Sequence, residues 1–296
     1  MADITLSNAT RTNLLSLQRT SGLIGRTQER LASGLKVNSA IDDALAFFKA
    51  RNLNARAGDL ATIKDAIAGG ISVIRAAIQG LETIEATLKQ AKALAASAVA
   101  SPESATRAKL ASQFNELRSQ VDNIAEDAAF DGVNLLKNTS NPFTAGADRL
   151  TVKFNERTTT TAVNQLVVSG LNATDFSTIL ARSAVATGTA GNTTVWGQTG
   201  TAAITAINSA IRSIDSALVS VRQAAQTFGT NSSLLEIRRQ FTENLINTLK
   251  GGASELVNAD LNEESANLLS LQTRQQLGTI SLSIAQQSEQ SVLRLF

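Results

Sequence analysis

Hydrophobic residues recur every three or four positions over most of this chain, and the recurrence says most at its two ends. In residues 262–296 one line runs Leu268, Leu271, Gln275, Gly278, Leu282, Ala285, Glu289, Val292 and Phe296, while Leu277, Ile280, Ile284 and Leu295 form a second line on another side. Beyond Glu264 the stretch carries only Arg274, Glu289 and Arg294 as charges. Two apolar seams on one slender helix of roughly 50 Å need two sets of neighbours. The pattern therefore predicts partners from the other end of the chain and from other copies of it. Residues 7–33 match in character: Leu14, Leu17, Ser21, Ile24, Gln28 and Leu31 share a heptad-like line, with Arg11, Arg19, Arg26, Glu29 and Arg30 on the polar face.

Between the ends the pattern predicts further helices. Ser33-Gly34 stops the first with a C-cap glycine, residues 35–41 read as a connection, and residues 39–43 offer a polar start with acids in the first turn. Leu60, Ile63, Ile67, Ile71, Ile74, Ile78, Leu81, Leu88 and Leu94 then keep helical spacing to about Val99, a length that argues for a coiled-coil rod. Gly69-Gly70 is the place where such a helix would break. Ser101-Pro102-Glu103 reads as a new start with Ser101 as N-cap, and Leu110, Phe114, Leu117, Val121, Ile124 and Ala128 share a face up to Phe130-Asp131-Gly132. Leu150, Val152 and Phe154, then Leu166 and Val168, alternate as a small hairpin joined through residues 155–161. Residues 181–200, rich in Thr, Gly, Ala and Asn around Trp196, have the composition of a surface loop. Ile204, Ile207, Ile211, Ile214, Leu218, Val221, Ala225 and Phe228 form the most regular helix. After a polar interlude at residues 229–233, Leu235, Phe241, Leu245 and Leu249 continue it to Gly251-Gly252.

The fold class predicted is mainly α: a long antiparallel helical bundle or coiled-coil rod with a small β-hairpin region and paired N- and C-terminal helices. The expected domains are an inner one of residues 1–42 and 255–296, a helical rod of 43–180 and 204–254, and an exposed variable loop at 181–203.

Composition narrows the function. Of 296 residues only 4% are aromatic and two are proline, which suits long helices packed through Ala, Leu and Ile. The 27 basic and 25 acidic residues are interspersed, so no clustered basic face marks a nucleic-acid partner. Without His or Cys, the chain lacks thiolate nucleophiles, histidine bases, the usual zinc ligands and disulfides. No enzyme activity and no cofactor are expected. The first residues show no basic stretch followed by an apolar run, so no cleavable signal is expected. No uninterrupted apolar run approaches eighteen residues, so membrane insertion is not expected either. Asp42-Asp43 and Glu263-Glu264 are readable as paired carboxylates, but acids at helix starts explain them better.

Four stretches together carry a family resemblance. Arg30-Leu31-Ala32-Ser33-Gly34-Leu35-Lys36-Val37-Asn38-Ser39-Ala40-Ile41-Asp42-Asp43-Ala44 resembles the N-terminal signature of bacterial flagellin. Phe130-Asp131-Gly132-Val133-Asn134-Leu135-Leu136 resembles the family's Phe-Asn-Gly turn. Residues 255–267, with Ala259-Asp260 and Glu263-Glu264-Ser265, resemble its acidic hinge, and Gln275-Gln276-Leu277-Gly278-Thr279 with Val292-Leu293 resembles its C-terminal end. The resemblance spans nearly all of residues 1–140 and 204–296.

This resemblance implies a subunit that polymerises into the extracellular flagellar filament and is exported without a cleavable signal. Its implied partners are other flagellin subunits, an export chaperone, and cap and hook-junction proteins. The terminal-helix residues expected to serve polymerisation are Leu14, Leu17, Ile24, Leu31, Leu268, Leu271, Leu277, Ile280, Leu282, Ile284, Val292 and Leu295. With only residues 143–200 in the middle, a thin and fairly smooth filament is implied. Thr158, Thr161, Thr187 and Thr193 are candidate carriers of O-linked sugars. The innate receptor that reads many flagellins is expected to respond weakly, because the chain has Leu88-Lys89-Gln90-Ala91-Lys92 and Gln113 where the recognised pattern has an Arg after a Gln and an acid. A hook-filament junction protein is the rival reading within the class, and a coiled-coil signalling or secreted adaptor the rival outside it.

Overall fold

Gly34 ends the first helix with φ +71°, a left-handed conformation open to glycine, and its N–H donates to Arg30 O at 2.8 Å. That helix is α1, Asn8–Ser33. The computed structural model describes residues 8–137, 149–156, 164–171, 196–198 and 201–293. Among these the helices are α1, α2 (Ala44–Ala100), α3 (Ser104–Asp127), α4 (Thr201–Val257) and α5 (Leu261–Leu293). The strands are β1 (Ala129–Phe130), β2 (Val133–Asn134), β3 (Arg149–Lys153) and β4 (Gln165–Ser169). The protein is thus mainly α with small antiparallel hairpins, β1 on β2 and β3 on β4.

Packing divides the chain into two compact units, residues 1–58 with 247–296, and residues 59–246. One division falls inside α2 and the other inside α4.

In the larger unit α2 runs through Gly69-Gly70 without a break, as part of a 57-residue helix. A Cβ on Gly70 would lie 2.7 Å from Val152 Cγ2, so this glycine lets β3 lie directly on the helix. Gly80 does the same for the end of α3: a Cβ there would lie 2.8 Å from the Ala128 Cβ. The core line of α2 is Ile67, Ile71, Ile74, Leu81, Ile84 and Leu88, continued by Ala91, Ala95 and Ala98. From α4 it receives Ile207, Ile214, Leu218, Val221, Phe228 and Leu235. The two helices are antiparallel, since Glu85 pairs with Arg222 at 3.0 Å and Lys92 with Asp215 at 2.5 Å. One eighteen-residue window of α2 reaches a mean hydropathy of 1.2, but half of it is buried in the protein, as in a core helix. The interlude at residues 229–233 is helical too, because α4 is one 57-residue helix whose buried Phe228 and Leu235 hold both flanks.

Three local expectations are corrected. Ser101 is not the N-cap of α3; Glu103 holds that place, and the Ser101 and Pro102 carbonyls both accept from the Arg107 guanidinium, at 2.9 and 2.8 Å. α3 stops at Asp127, and Asp131 and Gly132, with φ of 51° and 76°, make the tight turn of a hairpin. Asn134 then donates to the Ala125 and Glu126 carbonyls and so closes the end of α3. Trp196 is fully buried rather than set in an exposed loop. Its ring lies 5.3 Å from that of Phe114, and its carbonyl accepts from Arg107 Nε at 2.9 Å. Of the residues expected in that loop, 181–195, 199 and 200 lie outside the described residues.

Glu85 accepts from both Lys89 and Arg222, and these two hydrogen bonds hold its carboxyl below its ordinary value near 4.5. The sign follows from linkage: the contribution is complete above the unfolded value and is lost as pH falls through the folded one. Glu85→Gln should lower the stability slightly at pH 7, by less than about 1 kcal/mol for so exposed a pair. The difference from the parent should shrink as pH falls below about 4.5, and thermal scans at pH 7 and at a series of lower pH values check it.

Candidate assembly surface on the terminal helices

Within the smaller unit α1 and α5 run antiparallel along each other. Arg30 pairs with Glu264 at 2.9 Å, Leu17 meets Gly278, and Asn13 donates to Ser281 at 3.5 Å. Glu264 is buried and its carboxylate is met by a guanidinium, as a buried charge requires. Gly278 sets the spacing, since a Cβ there would sit 2.7 Å from Leu17 Cδ2.

Connectors fix where the pair begins. The N–H groups of Lys36 and Val37 both donate to Val257 O, and Ala259 N donates to Gly34 O at 2.9 Å. Asp42 closes the turn before α2 by accepting from Asn38 N, Ser39 N and Ser39 Oγ, and the hydrogen bonds from Ser39 first of all hold its carboxyl below the ordinary range. Asp43 caps α2 through Ala46 N at 3.0 Å, and Asp260 caps α5 through Asn262 N at 2.9 Å. Asp42 and Asp43 thus serve the start of α2, as expected, and Glu263 and Glu264 lie in the first turn of α5, where Glu264 also pairs with Arg30.

The two apolar lines of α5 meet different fates. Leu268, Leu271, Gly278, Leu282 and Ala285 are half-buried, and so are Leu17, Ile24 and Leu31 on α1. Small polar residues complete the seam, with Thr10 and Thr27 buried. On the second line Leu277, Ile280 and Ile284 are between 57% and 61% exposed. Leu14, expected in the seam, is exposed, together with Leu15 and Leu23 on the same helix. Leu269 also extends the bare line of α5; its only sequence signal was its place beside Leu268. At Val292 only the backbone is described, and Leu295 lies outside the described residues, as do Thr158, Thr161, Thr187 and Thr193. Of the positions expected to set receptor recognition, Leu88 is buried in the core, while Lys89, Gln90 and Gln113 are exposed.

An antiparallel terminal pair with one seam closed and another open is the geometry of an assembly subunit. Comparison with known proteins makes this specific. Residues 4–141 match the bacterial flagellin N-terminal helical region and residues 211–296 the C-terminal helical region. Flagellin FljM of Caulobacter vibrioides is 34% identical over 96% of this chain and 94% of its own length. Flagellin C of Rhizobium meliloti is 28% identical over 100% of this chain and 99% of its own. Among solved structures, a putative flagellar hook-associated protein from Vibrio parahaemolyticus superposes with a TM-score of 0.56 at 13% identity, covering 73% of this chain and 100% of that one. That likeness concerns the fold alone. The chain belongs to the bacterial flagellin family. It is a structural subunit that polymerises into the extracellular flagellar filament.

Proposed function

We propose that the bare line of α5, with Leu14, Leu15 and Leu23 of α1, is the surface through which subunits pack on one another. The observation that carries this reading is the exposure of Leu269, Leu277, Ile280 and Ile284 along a helix whose opposite line is already covered by α1. Each large apolar side chain gains about 1.5–3 kcal/mol on burial, and nothing among the described residues of one subunit buries these. In this division of labour, Leu17, Ile24, Leu31, Leu268, Leu271 and Leu282 hold the pair together. Leu14, Leu277, Ile280 and Ile284 join subunits.

Residues 1–42 and 255–296 form the inner layer of the filament in this reading, and residues 43–180 and 204–254 the layer around it. Export leaves α1 attached, since α1 supplies half of the pair. An export chaperone covers the open line before assembly, and cap and hook-junction proteins engage the same ends. The subunit's role is mechanical, with no catalysis. The uncharged stretch from Gln275 to Ser288 offers interchangeable polar contacts, which permits axial slippage between helices and so a change of filament form. A chain trimmed of residues 1–33 and 261–296 should stay helical by circular dichroism and fail to elongate filament seeds. Long filaments from the trimmed chain would overturn the reading.

A further inference from the structure

Outside the terminal pair, two more apolar stripes stand uncovered among the described residues. One lies at the start of α2: Leu45 is 80% exposed, Phe48 follows one turn later, and Ile41, 96% exposed, sits in the turn just before the helix. The other is on α4, where Leu234, Ile237 and Phe241 recur at steps of three and four, Ile237 being 64% exposed. The remaining exposed large apolar residues of α2, α4 and the hairpins are single: Phe130, Val167, Ile204 and Val219. Single exposed apolar residues are ordinary on any protein surface, but a stripe calls for an occupant.

We infer that the two stripes are the two halves of one contact: Ile41, Leu45 and Phe48 of one subunit dock on Leu234, Ile237 and Phe241 of another. This rests on the polymer reading above. An open filament of one protein requires a heterologous interface, in which two different patches of the same chain complement each other. The second stripe reaches over about two helical turns, roughly 10 Å, and the first over one turn of α2 with Ile41 in the turn before it. Charge does not oppose the meeting, since the first stripe has Asp42 and Asp43 at one end and Lys49 at the other, and the second is balanced. Asp42 and Asp43 stand beside the first stripe, and Asp42 is held ionised by its three hydrogen bonds. Beside the second, Arg239 pairs with both Glu236 and Glu243, while Arg238 lies over the Phe154 ring at 5.1 Å, so two guanidiniums face two carboxylates. Three side chains a side fall far short of the area that a stable isolated dimer needs. The contact therefore holds only alongside the terminal helices, which keeps free subunits apart and adds grip once they are aligned.

The chain has no cysteine, so introduced thiols report on this contact alone. Subunits carrying Leu45→Cys and subunits carrying Ile237→Cys are copolymerised from seeds and mildly oxidised. Disulfide-linked dimers should form in the mixed filaments and be at least about tenfold rarer in filaments of either variant alone. Mixed filaments that form normally and do not cross-link would overturn the pairing and leave the terminal-helix reading standing. Equal cross-linking in either single-variant filament would overturn it too. Ile237→Ser, at an exposed position, should leave circular dichroism unchanged and raise the critical concentration for elongation about tenfold. An unchanged critical concentration counts against the pairing, and failure of the parent protein to elongate sinks both readings.

Discussion

Ile280→Asp abolishes filament growth while leaving the free subunit folded. Ile280 is 57% exposed in the single chain, so the substitution removes little packing there. Its cost to an isolated helix is the propensity difference between the two residues, a few tenths of a kcal/mol. Once a neighbouring subunit covers the line, a carboxylate sits among Leu277, Ile284 and the apolar residues of the partner. Burying it without a cation costs about 3 kcal/mol or more, and the nearest Arg on α5 is Arg274, on the other side of Gly278. A penalty of that size raises the critical concentration by at least about a hundredfold. Ile280→Leu keeps the apolar volume and should elongate like the parent. Seeded growth followed by sedimentation separates the two, and growth of the Asp variant at parental concentration would show that this line faces water in the filament.

The same residues show what a sequence reveals and what it withholds. Both lines on α5 are legible because apolar residues at steps of three and four commit a helix to burying a face, whoever supplies the cover. Which line α1 would take was not legible, since it depends on the close approach at Gly278 and on the Arg30 and Glu264 pair. Helix ends at Gly34 and Asp43 were readable from capping chemistry. The divisions at residues 58 and 246 were not, because no cap marks a change of neighbours inside a continuous helix.

On α4 the expected line Leu235, Phe241, Leu245 and Leu249 went astray at Phe241. The buried series runs Leu235, Thr242, Ile246, Leu249 and Ala253, and a buried threonine whose hydroxyl donates to Arg238 O replaces the larger side chain. Phe241 was thereby left outside, on one of the two uncovered stripes. The polar interlude at residues 229–233 leaves the helix continuous, as the pattern carried past it implies. Local propensity is worth tenths of a kcal/mol per residue, and buried Phe228 and Leu235 on either side outweigh it.

Composition also hid the staple in the larger unit, and its removal gives the second large effect. Arg107 is buried and pairs with no carboxylate among the described residues; its guanidinium donates to four carbonyls, those of Ser101, Pro102, Trp196 and Gln198, at 2.7 to 2.9 Å. One planar group with five donors thus ties the α2–α3 link to the segment that carries Trp196, and the indole closes over Phe114. Arg107→Ala strands those carbonyls and opens a cavity beside the ring, at a cost of about 3 kcal/mol or more. For a unit of this size that lowers the unfolding midpoint by roughly 6–12 °C. Arg107→Lys keeps the charge but not the fork, and should recover only part of the loss. Trp196 is the single tryptophan, so its fluorescence reports on this place alone. In Arg107→Ala the emission should shift red at temperatures where circular dichroism still shows the full helix content. An emission that holds until the helices melt would mean that Phe114 packing, and not the guanidinium, keeps the indole in place.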